Sequence, residues 1–157
     1  MSEKKIVIMG IGNFLLSDEG IGIHAVKELS KRSYPDYIEV FDAGTLGLLS
    51  GPLFENRDLL VVIDAVDAQG EPGDVIIYNK DDVMLSRIPA KLSPHQIGIQ
   101  ETLLISELRG ECPEDVIFIG VIPASYDSCV ELTETGKLAL EKVLAEIDKI
   151  LKPYIIS

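Results

Sequence analysis

Residues 6–20 read IVIMGIGNFLLSDEG and decide the fold, because an apolar run passes directly into a glycine-containing loop. Residues 6–9 form a short, mostly β-branched run closed by Gly10, which is typical of a strand buried on both faces of a parallel sheet. Beyond the loop, four apolar residues recur at helical spacing: Ile21, Ile23, Val26 and Leu29. This stretch therefore predicts a strand, a loop and a crossover helix.

The same alternation of strands and helices continues along the chain. Further strands are predicted at residues 37–41, 59–63, 75–78 and 116–122, and further helices at residues 46–53, 93–108 and 133–153. Gly47, Gly51 and Pro52 limit the helix at 46–53. The link QGEPGD at 69–74 is too short to hold a crossover helix, so the strand after it is expected to be an antiparallel edge strand.

The order of these elements, βαβαββαβα, predicts an α/β fold with three layers, αβα. Such an order favours a mainly parallel twisted sheet of about five strands, with helices on both faces and right-handed crossovers. Neither a repeat nor a linker divides the sequence, so residues 1–157 are expected to form a single domain.

The composition narrows the classes of function. Hydrophobic residues make up 46% and charged residues 25% of the chain, as in ordinary folded domains. The 14 basic and 26 acidic residues leave a formal charge of −12, which would repel a nucleic-acid backbone. Cys112 and Cys129 form no CxxC pair and suit a reducing compartment. Apolar runs stay short of the roughly 20 residues that cross a bilayer, so we expect a cytoplasmic protein with neither a nucleic-acid nor a membrane partner.

Candidate site residues cluster at one edge of the predicted sheet. Glu19 follows the first strand, Asp42 the second, and Asp64 ends the third, and ligands of parallel sheets bind beyond these C-terminal strand ends. The sequence SPHQ at 93–96 has a capping-box pattern that places His95 in the first turn of a helix, where the helix dipole keeps the imidazole neutral. Carboxylate and imidazole ligands suit zinc, nickel or iron, and the sequence does not choose among these metals.

Structural roles compete with a functional role for each of these residues. The sequence SDEG, which contains Glu19, could simply start a helix, because acidic side chains interact favourably with the positive N-terminal end of the helix dipole. The side chain of Asp42 could instead stabilise its own turn by bonding to the backbone. Asp64 ends the apolar run LLVVI, where a buried acid needs a hydrogen-bond or charge partner. His24, on the apolar side of the first helix, is placed outside the site.

Three common catalytic or cofactor motifs are missing from the sequence. A dinucleotide fingerprint GxGxxG beginning at Gly10 would need a glycine where Leu15 stands. The loop lacks the GKS or GKT ending of a P-loop, and no serine lies in a GxSxG elbow. We therefore expect no nucleotide cofactor.

Five strings together resemble hydrogenase maturation endopeptidases. They are GIGNFLLSDEGIG at 10–22, DAGT at 42–45, VVIDAVDA at 61–68, SPHQIGIQE at 93–101 and GVIPAS at 120–125. Each string is weak alone, but their order and spacing match the family over almost the whole chain.

The resemblance implies an endopeptidase that removes the C-terminal extension of a nickel-iron hydrogenase large-subunit precursor after nickel insertion. It implies that Glu19, Asp64 and His95 bind nickel carried by the precursor, so that metal loading becomes the checkpoint for cleavage. Asp42 corresponds to an acidic residue that the family carries near its active-site cleft, and the role of that residue is less defined. Nickel could polarise the scissile carbonyl or activate water, or Asp42 could act as general base.

Three other functions remain open from the sequence. A metallohydrolase could hold its own zinc or iron through the same residues, and a nickel-responsive binding module could hold a loaded centre without cutting it. A nucleotide-binding domain is disfavoured by the missing fingerprints. The chain is expected to be a monomer.

Overall fold

The computed structural model describes residues 5–44, 51–85 and 95–155, and the side chains of residues 95–98 fall outside this description. The strands are β1 (Ile6–Ile11), β2 (Ile38–Gly44), β3 (Leu59–Ala65), β4 (Val75–Tyr78) and β5 (Asp115–Val121). The helices are α1 (Ile21–Leu29), α2 (Gly51–Phe54), α3 (Lys80–Met84), α4 (His95–Leu108) and α5 (Glu134–Leu151), and a 3₁₀ helix covers Ser17–Gly20.

The five strands form one sheet with the order β2-β1-β3-β5-β4. All neighbours run parallel except β4, which pairs antiparallel with β5 at the edge of the sheet. The predicted mixed sheet and its antiparallel edge strand are therefore confirmed. Because β2 and β3 lie on opposite sides of β1, the direction of winding reverses at β1, and this reversal opens a crevice at the C-terminal strand ends.

Helices cover both faces of the sheet and enclose two cores. On the first face, α1 and α5 pack against residues such as Ile8, Val61 and Ile119. On the second face, α2, α3 and α4 contribute Phe54, Val83, Ile99 and Leu103 to a core with the opposite residues of the same strands. Alternate residues of β1 and β3 enter different cores, which explains why these strands are apolar at nearly every position.

Two short helices differ from the sequence-based expectation. Helix α3 was not predicted, although Asn79 and Asp82 form a reciprocal capping box that starts it. Helix α2 includes Gly51 and Pro52, which were expected to limit a helix; proline is well tolerated in a first helical turn because its missing N–H needs no partner there. The rest of the predicted helix at 46–53, and the expected N-cap Ser93, lie outside the described residues.

None of the helices in the described part of the chain is long and apolar enough to cross a membrane. The longest, α5, instead begins at the N-cap Thr133 as predicted and buries one apolar face against the first core.

Candidate functional site

The C-terminal ends of β1, β2 and β3 lie side by side and carry the acidic residues predicted for the site. Gly10 of β1 pairs with Asp42 of β2 on one side and with Ile63 of β3 on the other. Since neighbouring strands lie about 4.8 Å apart, the Cα atoms of Asp42 and Ile63 are about 10 Å apart. Asp64 follows Ile63, so both aspartates lie at the edge where the strand order reverses.

Glycine contacts hold the loop after β1 tightly against the sheet. A Cβ on Gly22, at the start of α1, would collide with the carbonyl oxygens of Ile63 and Ile11, and a Cβ on Gly10 would collide with the carbonyl oxygen of Gly22. The first turn of α1 therefore packs directly on the backbones of β1 and β3. This contact places the preceding 3₁₀ helix beside the end of β3.

Glu19 lies in that 3₁₀ helix and is 1% exposed. Its Oε2 atom accepts a hydrogen bond of 2.6 Å from the backbone N–H of Asn13. Gly12 has a φ of +136° and a Cβ there would collide with the carbonyl oxygen of Glu19, so only glycine fits this position. The folded loop thus fixes the buried carboxylate next to β3.

Asp64 is fully buried on the second face of the sheet. Leu60, Val62 and Val66 point into the second core, and the alternation of a strand puts Asp64 on the same side. Its Oδ1 atom accepts a hydrogen bond of 2.8 Å from the N–H of Ala65. This is the face on which α4 packs.

Helix α4 begins at His95, which therefore lies in the first turn of a helix as the sequence predicted, and its side chain falls outside the described residues. Because α4 packs on the face that carries Asp64, the backbone places His95 and Asp64 on one face of the sheet. Among the described side chains, no group of three or more His, Cys, Asp or Glu residues is arranged to hold a metal ion. The nickel-binding role of Glu19, Asp64 and His95 therefore stays a prediction.

Asp42 lies at the same edge but on the other face. Ile38 and Val40 of β2 pack in the first core, and Asp42 continues that alternation. Gly10 pairs with Asp42 while Ile11 pairs with Gly44, so Ala43 is an extra residue that bulges the strand and is buried in the second core. Asp42 remains exposed, separated by the sheet from the face of Asp64.

A cleft of about 270 Å³ lies in front of Asp42. Its lining residues come from the loop after β1, from α1 and from the end of β2: Gly12, Asn13, Phe14, Ile23, Asp42 and Gly44. Asn13 belongs to this lining and also donates its N–H to Glu19. Asn13 therefore lies between the cleft and the buried carboxylate of Glu19.

His24 lies beside the cleft and contacts the ring of Phe14, one of the lining residues. The two rings stack with centroids 4.8 Å apart, and the Nζ of Lys27 lies 4.7 Å from the centroid of the Phe14 ring. Burial, with a further contribution from the charge of Lys27, lowers the pKa of His24. These contacts hold Phe14 as a fixed wall of the cleft.

Asp18 is a buried residue to which the sequence analysis assigned no role of its own. Its carboxylate accepts three hydrogen bonds: from Ala124 N (3.0 Å), Thr133 N (2.9 Å) and Thr133 Oγ1 (2.7 Å). It joins the loop after β1 to the loop after β5 and to the start of α5. Its partners are more than 100 positions away, so no local pattern could separate it from Glu19.

Comparison with known families identifies one match. Residues 23–150 match the model of the hydrogenase maturation protease family. This range contains Asp42, Asp64 and His95 and begins four residues after Glu19.

Curated proteins and solved structures agree with this match. The chain is 37% identical over 146 residues to the hydrogenase 2 maturation protease of Escherichia coli, covering 91% of this chain and 88% of that protein. It is 38% identical over 126 residues to the hydrogenase expression/formation protein HupD of Bradyrhizobium diazoefficiens, covering 80% and 66% of the two chains. The fold is similar to that of the hydrogenase maturating endopeptidase HybD from E. coli, with a TM-score of 0.88 and 35% identity over 95% of this chain and 93% of that one.

Proposed function

Because this chain belongs to the hydrogenase maturation protease family and is therefore a peptidase, we propose that it removes the C-terminal extension of a nickel-iron hydrogenase large-subunit precursor after nickel insertion. In this proposal the nickel arrives with the precursor, and Glu19, Asp64 and His95 bind it. The protein acts in the cytoplasm as a monomer.

The burial of Glu19 and Asp64 at the strand reversal is the observation that carries the proposal. Two carboxylates that are 1% and 0% exposed lie on adjoining elements at the edge where parallel sheets bind ligands. Removing carboxylates from water costs free energy, which hydrogen bonds offset in part and a bound cation offsets further. A precursor that carries nickel would bring that cation, whereas an empty precursor would not.

In this arrangement, binding of the nickel would both recognise the loaded precursor and position its scissile bond. The two carboxylates and an imidazole at the start of α4 offer oxygen and nitrogen ligands of the kind that suit nickel. They supply too few ligands to fill an octahedral ion, so the remaining ligands come from the precursor. Binding through a shared ion would hold the scissile bond in a fixed place, which lowers the barrier by fixing its orientation.

Two variants test this assignment of the site. We expect Asp64→Asn and His95→Ala to lower the rate of processing of the nickel-loaded precursor by about 100-fold or more, because losing a metal ligand costs at least as much as losing the groups that orient it. The rate is measured from the intact mass of the precursor over time. Asp67→Asn, an exposed acid three positions beyond Asp64, is the matched control and should keep the wild-type rate.

Thermal unfolding of the same variants separates function from folding. Asp64→Asn keeps the size and shape of the side chain, so it should retain the fold and lose processing. Wild-type rates in both site variants would contradict the assignment of the site.

A further inference from the structure

Three large apolar side chains are exposed on two adjoining loops at the edge of the site, the loop after β1 and the loop after β5. Leu15 is 62% exposed, Tyr126 58% and Val130 49%, and we call these three residues the rim patch. Hydrogen bonds join the two loops, from the N–H of Cys129 to the carbonyl oxygen of Leu15 (2.9 Å) and from the N–H of Ser17 to the carbonyl oxygen of Cys129 (2.7 Å). Single apolar residues are common on protein surfaces, whereas a group of large ones on adjoining loops is typical of an interaction surface.

The rim patch is preformed, because hydrogen bonds fix the backbone of both loops. The N–H of Leu15 donates to Oδ1 of Asn13 (2.9 Å). Tyr126 follows Ser125, whose carbonyl oxygen accepts a hydrogen bond of 3.1 Å from the N–H of Asp18. A preformed apolar surface loses little conformational freedom on binding, so more of the free energy of burial remains as affinity.

Two exposed acids flank the rim patch. Asp127 follows Tyr126 and Glu131 follows Val130 in the sequence, and both acidic side chains are exposed. Neither carboxylate forms an ion pair within the described part of the chain. Acids around an apolar centre favour a partner whose own apolar surface is edged by Lys or Arg, because opposite charges steer the encounter. A second copy of this chain, with its net charge of −12, would bring like charges together.

The loop after β1 connects the rim patch to the buried acid Glu19. Asn13, whose Oδ1 accepts from the N–H of Leu15, donates its own N–H to Oε2 of Glu19 (2.6 Å). Leu15 is exposed four positions before Glu19, which is 1% exposed. A partner that covers the rim patch therefore lies over the end of the sheet that carries the buried carboxylates.

We infer that the rim patch is a docking surface for the precursor of the hydrogenase large subunit, and that it binds an apolar area edged by basic side chains whether or not the precursor carries nickel. This inference rests on the proposed function and adds a second contact to it. Apolar burial contributes affinity in proportion to the area removed from water, and no metal enters this contribution. Docking through the patch therefore precedes recognition of the metal.

The test measures binding and cleavage separately. Nickel-free precursor of a nickel-iron hydrogenase large subunit is titrated by calorimetry with the wild-type chain, Leu15→Ser, Tyr126→Ser and Asp127→Asn. Leu85→Ser is the matched control, because Leu85 is 60% exposed and lies at the end of α3, which packs on the second face of the sheet. The nickel-loaded precursor then gives kcat and KM for cleavage by the same five chains.

We expect the wild-type chain to bind the nickel-free precursor, and Tyr126→Ser to raise the Kd about 10-fold or more, because aromatic side chains carry much of the affinity of an interface. Leu15→Ser should raise the Kd about 3- to 10-fold. Asp127→Asn should raise it about 3-fold at low salt and less at high salt, since the lost contact is electrostatic. With the loaded precursor, these variants should raise KM and leave both kcat and the preference for loaded over nickel-free precursor unchanged. Leu85→Ser should match the wild type.

Other outcomes overturn the inference. Equal Kd values for the wild-type chain and all three patch variants would remove the docking role, as would a nickel-free precursor that does not bind the wild-type chain. Dimers of this chain that Tyr126→Ser abolishes would assign the patch to a second copy, and a lower melting temperature together with a lower kcat would assign it a structural role. Patch-dependent binding without cleavage of the loaded precursor would contradict the proposed function but leave the docking surface.

Discussion

Two neighbouring acids, Asp18 and Glu19, have separate tasks although both are buried. Asp18 accepts hydrogen bonds from Thr133 and Ala124, and the hydroxyl of Thr133 in turn accepts from the N–H of Gly136 at the start of α5. A Cβ on Gly136 would collide with the carboxylate of Asp18. Asp18 thus anchors the loop that holds Glu19 in place.

Loss of this anchor should destabilise the whole domain. We expect Asp18→Ala to lower the free energy of unfolding by about 3 kcal/mol, because three hydrogen-bond donors lose their buried acceptor. Urea unfolding measures the change. Asp127→Ala, at an exposed acid in the loop after β5, should change the free energy by less than about 0.5 kcal/mol. Equal stability of the two variants would remove the anchoring role from Asp18.

The sequence predicts that the candidate residues lie at the C-terminal edge of the sheet, but it does not predict which face of the sheet each side chain occupies. Glu19, Asp42 and Asp64 were found because each follows an apolar run that ends at the same edge of the sheet. Asp42 continues the alternation of Ile38 and Val40 toward the first core, whereas Asp64 faces the second, and a slip of one residue would move a side chain to the opposite face. The anchor formed by Asp18 depends on contacts across more than 100 positions, which no local pattern contains.

Close contact of α1 with β1 and β3 is the element-scale feature that builds the site. Gly10 and Gly22 allow the helix backbone to approach the strands more closely than side chains would permit. The 3₁₀ helix Ser17–Gly20 precedes α1 directly, so its position follows from this packing. The site therefore depends on two glycines that carry no chemistry of their own.

A methyl group at this contact should separate the helix from the sheet. We expect Gly22→Ala to lower the free energy of unfolding by about 3 kcal/mol or more, because the added Cβ would meet backbone atoms of both Ile11 and Ile63 that cannot yield independently. Thermal and urea unfolding provide the measurement.

Gly51→Ala is the matched control for Gly22→Ala. A Cβ at Gly51 lies 3.1 Å from Oε1 of Glu55 and 3.3 Å from the methyl group of Thr102, and these side-chain atoms have more freedom to move. Its cost should be about 1 kcal/mol or less. If both variants unfold at the same urea concentration as the wild type, the contact at Gly22 does not hold the helix in place.

Long elements were predictable because their apolar periodicity is strong. Helix α5 and strands β3 and β4 match their predicted positions, and the short link at 69–74 correctly indicated an antiparallel edge strand. Helix α3 was missed because its five residues offer too little periodicity, although the pair Asn79 and Asp82 carries a start signal. Short elements are specified by caps and tertiary contacts, which the search for apolar patterns overlooks.

On the scale of the whole molecule, the sheet separates two adjoining surfaces. Glu19 and Asp64 lie buried at the strand reversal, while Asp42 lies exposed in a cleft on the other face. In our proposal the buried pair Glu19 and Asp64 responds to the metal state of the precursor. The net charge of −12 supports this proposal, because it attracts a cationic centre.

Dependence of cleavage on nickel in the precursor is the central claim, and one measurement tests it most directly. The intact mass of a nickel-iron hydrogenase large-subunit precursor, nickel-loaded or nickel-free, is followed during incubation with the wild-type chain, with Glu19→Gln, and with the control Glu114→Gln, an exposed acid next to the start of β5. The account predicts that only the loaded precursor loses a C-terminal peptide, and only with the wild-type and control chains. Equal cleavage of loaded and nickel-free precursor by the wild-type chain would contradict it.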